Sequence, residues 1–268
     1  MIKVLTLYFT RDKLTFNPRS LESVVNQINV SQDIYVISAE PIDLWNYGFH
    51  ISNVVIPTKS TWPVPIKVGY SFNAALVKIN KEIDRYDYVF KVDGDVILPK
   101  DYLINLASRK PHVAGIGPAL LISTAFFKKL LKNKYPVTYC DDGFIFALAI
   151  SKGMWPLHYT GRGDVIIPPI ITLKDREYIY GVEYYRWGLP LILLVVLPIT
   201  RIYLKITKKM KEYQRKDLRA YLYNIVGYVH ALIHNVKKYE FSREYGRMRI
   251  IHLYHKFRAT KTVDFHGD

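Results

Sequence analysis

Cysteine is almost missing from this 268-residue chain. Cys140 stands alone, which excludes an internal disulfide and any cysteine-cluster zinc site and fits a reducing compartment. No segment offers the roughly 20 consecutive apolar residues that a membrane-spanning helix needs. The uncharged stretch Gly188 to Thr200 (GLPLILLVVLPIT) stops at thirteen residues and contains Pro190 and Pro198. No internal repeat or low-complexity tract is present either. With half its residues apolar and 23% charged, the chain has the composition of a globular protein with a real core, not of a disordered, collagenous or disulfide-rich one.

Positive charge is abundant and unevenly placed. The net charge is +15, from 38 Lys and Arg against 23 Asp and Glu. Residues 201–268 hold 16 of those cations against 6 of the anions, a net +10, although they are a quarter of the length. Such a tail can meet nucleic acid, anionic lipid or water. Its apolar content favours lipid. Leu218, Leu222, Ile225, Val226, Val229, Ile233 and Val236 recur at steps of three and four, one apolar face of a helix, with Arg219, His230, His234, Lys237 and Lys238 on or beside the other faces. A cationic amphipathic helix after a short apolar segment has the pattern of an interfacial membrane anchor, and packing of that face on the main domain is the alternative. Many of the 22 tyrosines lie from Tyr178 onward, where amphipathic rings suit a membrane interface. The opening MIKVLTLYFTRD enters a strand pattern without a small-residue cleavage site, so the expected location is the cytoplasmic face of the membrane, peripheral or monotopic.

Two domains are expected: residues 1–187, and a basic helical region at 188–268. The first alternates strand and helix signals, which predicts an α/β architecture with a mostly parallel sheet flanked by helices. Strands are expected at 2–9, 34–38, 52–56, 88–92 and 113–122. Asn17-Pro18 marks a helix start for the face Leu21, Val24, Val25 and Ile28, and Phe72, Leu76, Ile79 and Ile83 form the next helical face. Further helices are expected at 126–131 and 142–151. Ligands of open α/β sheets bind beyond the carboxyl ends of the strands, which draws attention to Thr10, Glu40, Asp93 and Asp95.

Two acidic clusters fall near such positions. Asp93-Gly94-Asp95 follows a buried strand, and oxygen donors so spaced suit Mg²⁺ or Mn²⁺ carrying a diphosphate. An ordinary Asp-Gly turn is the other reading. Asp141-Asp142 opens a strongly apolar helix, where a carboxylate is either a cap or a general base for an acceptor hydroxyl.

Together these features resemble the family 2 glycosyltransferases with the GT-A fold, a Rossmann-like nucleotide-sugar-binding architecture. The likeness rests on the opening strand, the helix SLESVVNQ (Ser20 to Gln27), Gly69 and Asn73 in VGYSFNAA, and DGD after KV. It continues through GIGPALLIS, the DD pair and EYYRWG, in order over residues 1–188. The resemblance implies an inverting, non-processive, metal-dependent transfer of a sugar from a UDP- or GDP-sugar to an acceptor, a polyprenyl phosphate or glycolipid in the membrane. It makes Asp95 the ligand of a Mn²⁺ or Mg²⁺ ion and Asp93 a metal or nucleotide contact. Asp142 becomes the base with Asp141 its neighbour, and Arg186 and Trp187 the holders of diphosphate and acceptor. Lys67 and Asn73 are candidate nucleotide contacts. Two positions depart from the family pattern: Ile37-Ser38-Ala39-Glu40 replaces an Asp-Asp-Ser end of the second strand, making Glu40 a candidate substitute, and Glu183 stands where a Gln begins the Q-x-x-R-W motif. Arg186 and Trp187 are also residues that a membrane border attracts. The alternatives are a catalytically degenerate membrane-surface or nucleic-acid-binding protein, favoured by the missing Asp-Asp-Ser, and a nucleotidyltransferase. Nucleic acid is not the expected partner.

Overall fold

The computed structural model describes residues 1–168, 173–206 and 218–263; residues 207–217 of the basic region, with 169–172 and 264–268, lie outside the described residues. Residues 1–146 with 155–168 form one compact unit, and the remaining described residues form a second.

The first unit is built on a six-stranded sheet: β1 (Ile2–Phe9), β2 (Val30–Ser38), β3 (Ser52–Val55), β4 (Tyr88–Asp93), β5 (Val113–Ile116) and β6 (Ala119–Ser123). Their spatial order is β3-β2-β1-β4-β6-β5. β1 pairs in parallel with β2 and β4, and β2 with β3, while β6 runs antiparallel to both β4 and β5. One strand was expected over 113–122. Two are found because Gly117-Pro118 turns the chain back on itself, leaving β5 and β6 as a hairpin.

α1 (Pro18–Val25) starts where Asn17 and Pro18 predict, with the Asn17 side chain accepting from the Ser20 amide. Leu21 and Val24 of α1 pack on one face of the sheet with Tyr8, Phe90, Val92 and α3 (Tyr102–Ala107). α2 (Val64–Ile79) and α4 (Thr124–Lys129) cover the opposite face, where Phe72 stacks on Phe9 and meets Phe127. α2 begins earlier than the apolar spacing indicates, because Pro63 and Pro65 suit a helix's first turn. α5 (Asp141–Ser151) follows.

In the second unit, α6 (Lys174–Trp187) and α8 (Leu218–Ile233) pack closely, with α7 (Leu191–Ile206) and α9 (Ser242–Val263) alongside in sequence. Gly181 lies on the Asn224 backbone and Gly227 on the Tyr178 backbone, so close that a Cβ on either glycine would overlap the facing helix. α8 buries Ala220, Asn224, Gly227, Tyr228 and Ala231. Its larger apolar residues turn outward: Leu222 is 61% exposed, Val226 56% and Ile233 69%. The apolar stripe read from the sequence is therefore on the outside of the helix pair, and small residues make the contact. The thirteen-residue apolar segment forms most of α7, with Pro198 inside the helix and Leu191, Ile192, Val195 and Ile199 exposed. Among the described residues no helix is long and apolar enough to cross a membrane.

Candidate functional site

The carboxyl ends of β1, β2 and β4 open onto a cleft of about 320 Å³, lined by Thr10, Ser38, Lys67, Ser71, Asp93 and Asp95 among others. Chain reversal at the end of β4 is what carries the two carboxylates there. The Gly94 amide donates to Phe9 O at 2.7 Å, the Asp93 amide to Pro118 O at 2.8 Å and the Val96 amide to Asp93 O at 3.2 Å. The buried Tyr8 hydroxyl donates to Gly94 O at 2.9 Å, and burial pushes its pKa up to about 12, so it stays a donor. The result is a tight, fixed turn whose Asp95 side chain is exposed to the cleft.

Asp93 is held from below. Lys91, on the same face of β4, brings its ammonium to 2.7 Å from Asp93 Oδ1, off the line of an aligned hydrogen bond, as an ion pair. The lysine side chain is 5% exposed and that of Asp93 32%. Burial pushes the Asp93 pKa up, and the attraction of Lys91 offsets that only in part. Lys91 carries no signal in the sequence beyond its place in KVDGD, and an apolar β4 gave no reason to expect a cation inside it.

The second acidic cluster is on the same unit at the start of α5. Asp141 is buried and accepts a 2.8 Å hydrogen bond from the Tyr135 hydroxyl. Burial raises its pKa, with Asp142 adding to the rise and Lys91 opposing it. Asp142 is less buried; its Oδ1 accepts from the Gly143 amide at 2.7 Å, and its carboxylate lies against Gly117. Lys91 also donates to Gly117 O at 3.3 Å and interacts with both Asp141 and Asp142. The two acidic clusters thus meet around one lysine and one glycine.

The other sequence candidates divide. Lys67 lines the cleft, its ammonium donating to Ser60 O at 3.0 Å. Asn73 is not among the lining residues; its amide brackets Tyr135, accepting from that backbone N–H at 2.8 Å and donating to its carbonyl at 2.9 Å and to Gly69 O at 3.0 Å. Glu40 also lies outside the lining: Oε1 accepts from the Lys13 amide at 3.3 Å and its carbonyl from the Ser38 hydroxyl at 2.6 Å. Arg186 and Trp187 end α6 in the second unit. Arg186 pairs with the buried Glu183 at 2.7 Å and lies 4.2 Å over the Tyr239 ring, whose hydroxyl donates to Glu183 at 2.9 Å. Glu183, read from the sequence as a departure from a Q-x-x-R-W pattern, is therefore the partner of Arg186. Trp187 is buried, with no hydrogen-bond partner for Nε1 among the described residues.

Among the described residues no three His, Cys, Asp or Glu side chains converge as metal ligands. The donor set nonetheless fits a hard divalent cation, which is commonly held by one or two carboxylates and completes its shell with phosphate oxygens and water. Asp95 and the oxygen of Asp93 not paired with Lys91 are the groups that would hold it.

No family model matches the sequence, and neither does any curated protein. Among solved structures, the mannosyltransferase PcManGT of Pyrobaculum calidifontis in complex with GDP-Man and Mn²⁺ is similar with a TM-score of 0.51 and 12% identity, over 97% of this chain and 83% of that one. TarS 1-349 of S. aureus in complex with UDP gives a TM-score of 0.46 and 14% identity, over 67% and 64% of the two chains. The first likeness shows the fold: an α/β architecture with a mostly parallel sheet flanked by helices, as the sequence predicts, built here on six strands where five were expected.

Proposed function

We propose that the protein is a glycosyltransferase that moves a sugar from a UDP- or GDP-sugar to an acceptor with inversion. The observation that carries this is the cleft beyond β1, β2 and β4 with Asp93 and Asp95 in its wall and a second acidic pair on the same unit. PcManGT, the neighbour that shares the fold, is in complex with GDP-Man and Mn²⁺. Thr10 and Ser71 offer hydroxyls to the nucleotide, and Lys67 offers a cation to its phosphates. A Mn²⁺ or Mg²⁺ ion on Asp95 and Asp93 would supply neutralising charge for the leaving nucleoside diphosphate. Asp142 accepts the proton of a glycolipid hydroxyl as that hydroxyl's oxygen attacks the anomeric carbon from the side opposite the diphosphate, whereas a polyprenyl phosphate would attack as the anion it already is. The bond to the diphosphate breaks, and one glycosidic bond forms without a covalent enzyme intermediate.

The acceptor in this reading is a membrane lipid, a polyprenyl phosphate or glycolipid, reached by a protein lying peripherally on the cytoplasmic face. What supports it is the outward apolar stripe of α8 and the exposed aliphatic residues of α7, in a region that carries +10 of net charge from residue 201. Small residues at the helix contact and large aliphatics outside are the arrangement helices adopt against lipid.

A binding module without turnover is the second reading. Ser38 and Ala39 line the cleft at the end of β2 without a carboxylate, and Glu40 lies outside that lining.

Product analysis decides between them. Purified protein is incubated with UDP- and GDP-sugars, Mn²⁺ and a membrane lipid extract, beside Asp95→Ala and Asp142→Ala. Nucleoside diphosphate release that needs lipid, metal and Asp95 is the expected result, with Asp142 needed too where the acceptor is a hydroxyl. Pyrophosphate release from UTP or GTP with a sugar 1-phosphate, offered in parallel, would make the protein a nucleotidyltransferase, and no release with retained vesicle binding would leave the binding module.

A further inference from the structure

Lys91 is a buried cation that the transfer mechanism above does not use. It sits at the centre of the sheet, on β4 between Leu7 of β1 and Leu120 of β6, and is 4% exposed. An ammonium in such a place is costly unless it is paired. Its pairing is lopsided: 2.7 Å to Asp93 Oδ1 on one side, the carbonyl of Gly117 at 3.3 Å, and the charges of Asp141 and Asp142 beyond. Gly117 is also where the Asp142 carboxylate rests. Four carboxylates from two segments, Asp93 and Asp95 at the end of β4 and Asp141 and Asp142 at the start of α5, repel one another wherever they share a site.

We propose that Lys91 is a positioning residue: a fixed internal cation that aims the Asp93 carboxylate at the cleft and ties it to the α5 acidic pair across Gly117. The proposal rests on the glycosyl-transfer reading for what the carboxylates do, but its geometry stands without it. It differs in sign from plain electrostatics. Removing a positive charge beside a cation site should tighten cation binding by Coulomb's law alone. If Lys91 instead holds Asp93 in place, its removal weakens binding although a repulsion has been relieved.

The test is calorimetric titration of Mn²⁺, alone and with UDP or GDP, into wild type, Lys91→Met, and Lys91→Met/Asp141→Asn, with melting curves for each. The expected result is at least tenfold weaker Mn²⁺ binding in Lys91→Met. In the double variant, which removes one charge of each sign, thermal stability recovers while Mn²⁺ affinity does not; that variant also carries the test if Lys91→Met fails to fold. Unchanged or tighter Mn²⁺ binding, or affinity restored together with stability, would overturn the proposal by reducing Lys91 to charge balance. Wild-type protein that binds Mn²⁺ but neither nucleotide sinks the glycosyl-transfer reading, and leaves the Lys91 comparison readable on Mn²⁺ alone. Wild-type protein that binds none of them overturns both.

Discussion

The Asp142 carboxylate occupies the space that a side chain at position 117 would need: a Cβ on Gly117 would overlap it. The obstacle is the end of a movable side chain, not backbone, so Gly117→Ala should fold and push the carboxylate aside. With Asp142 as the base, turnover then falls at least tenfold, since displacement by about 1 Å from a reactive geometry costs of order a hundredfold. Melting temperature and donor KM should change little. Wild-type turnover in this variant would remove Asp142 from the chemistry.

Asp141 should cost stability at neutral pH. Its pKa in the fold is raised by burial, so the ionised form is less favourable there than in the unfolded chain. The stability linked to this group is complete below the unfolded value of about 4 and is lost as pH rises through the folded one. Asp141→Asn, whose amide oxygen can still accept from Tyr135, removes that loss. Its melting temperature at pH 7 should exceed the wild type's by roughly 2–4 °C, the effect of about 1 kcal/mol in a domain of this size. Near pH 3 the gain should vanish. A gain independent of pH would assign the effect to packing.

The sheet and the acidic triplet were legible because each has a local signature. β1 and β4 are apolar runs, Asn17-Pro18 caps α1, and the turn after β4 needs the glycine that Asp93-Gly94-Asp95 shows. What escaped has no local signature. Lys91 earns its place from Asp93 and from Asp141 and Asp142, fifty residues on. Asn73 matched a position expected to meet nucleotide, but its amide is spent on Tyr135, a contact set by how the chain after α4 returns to α2. In α8 the spacing gave a true apolar face but no sign of the small-residue face that meets α6. Gly227 and Ala231 there allow a closer approach than leucine or valine could.

The two faces separate two kinds of substitution on one helix. Val226→Glu with Ile233→Glu changes two exposed side chains and should leave the melting curve within about 0.5 kcal/mol, as surface changes usually do. Sedimentation with anionic phosphatidylglycerol vesicles should fall severalfold. Gly227→Val should do the reverse to stability, because its side chain would collide with the Tyr178 backbone and force α6 and α8 apart. Vesicle binding untouched by the two glutamates would remove the lipid surface as the occupant of this face.

The two carboxylates of the triplet should separate in the same way. Asp95 is exposed in the cleft, so Asp95→Asn should abolish Mn²⁺-dependent nucleotide binding with no loss of stability. Asp93 is the partner of a buried lysine, and Asp93→Asn strands that ammonium, a change that costs about 3–5 kcal/mol where one member of a buried pair is removed. Asp141 and Asp142 remain to share the charge, which places the expected loss at the lower end of that range. Denaturant melts of the two variants side by side, with Mn²⁺ titrations, decide it. Equal stabilities would mean that Lys91 is held by the α5 pair and that Asp93 is free to serve the cleft alone.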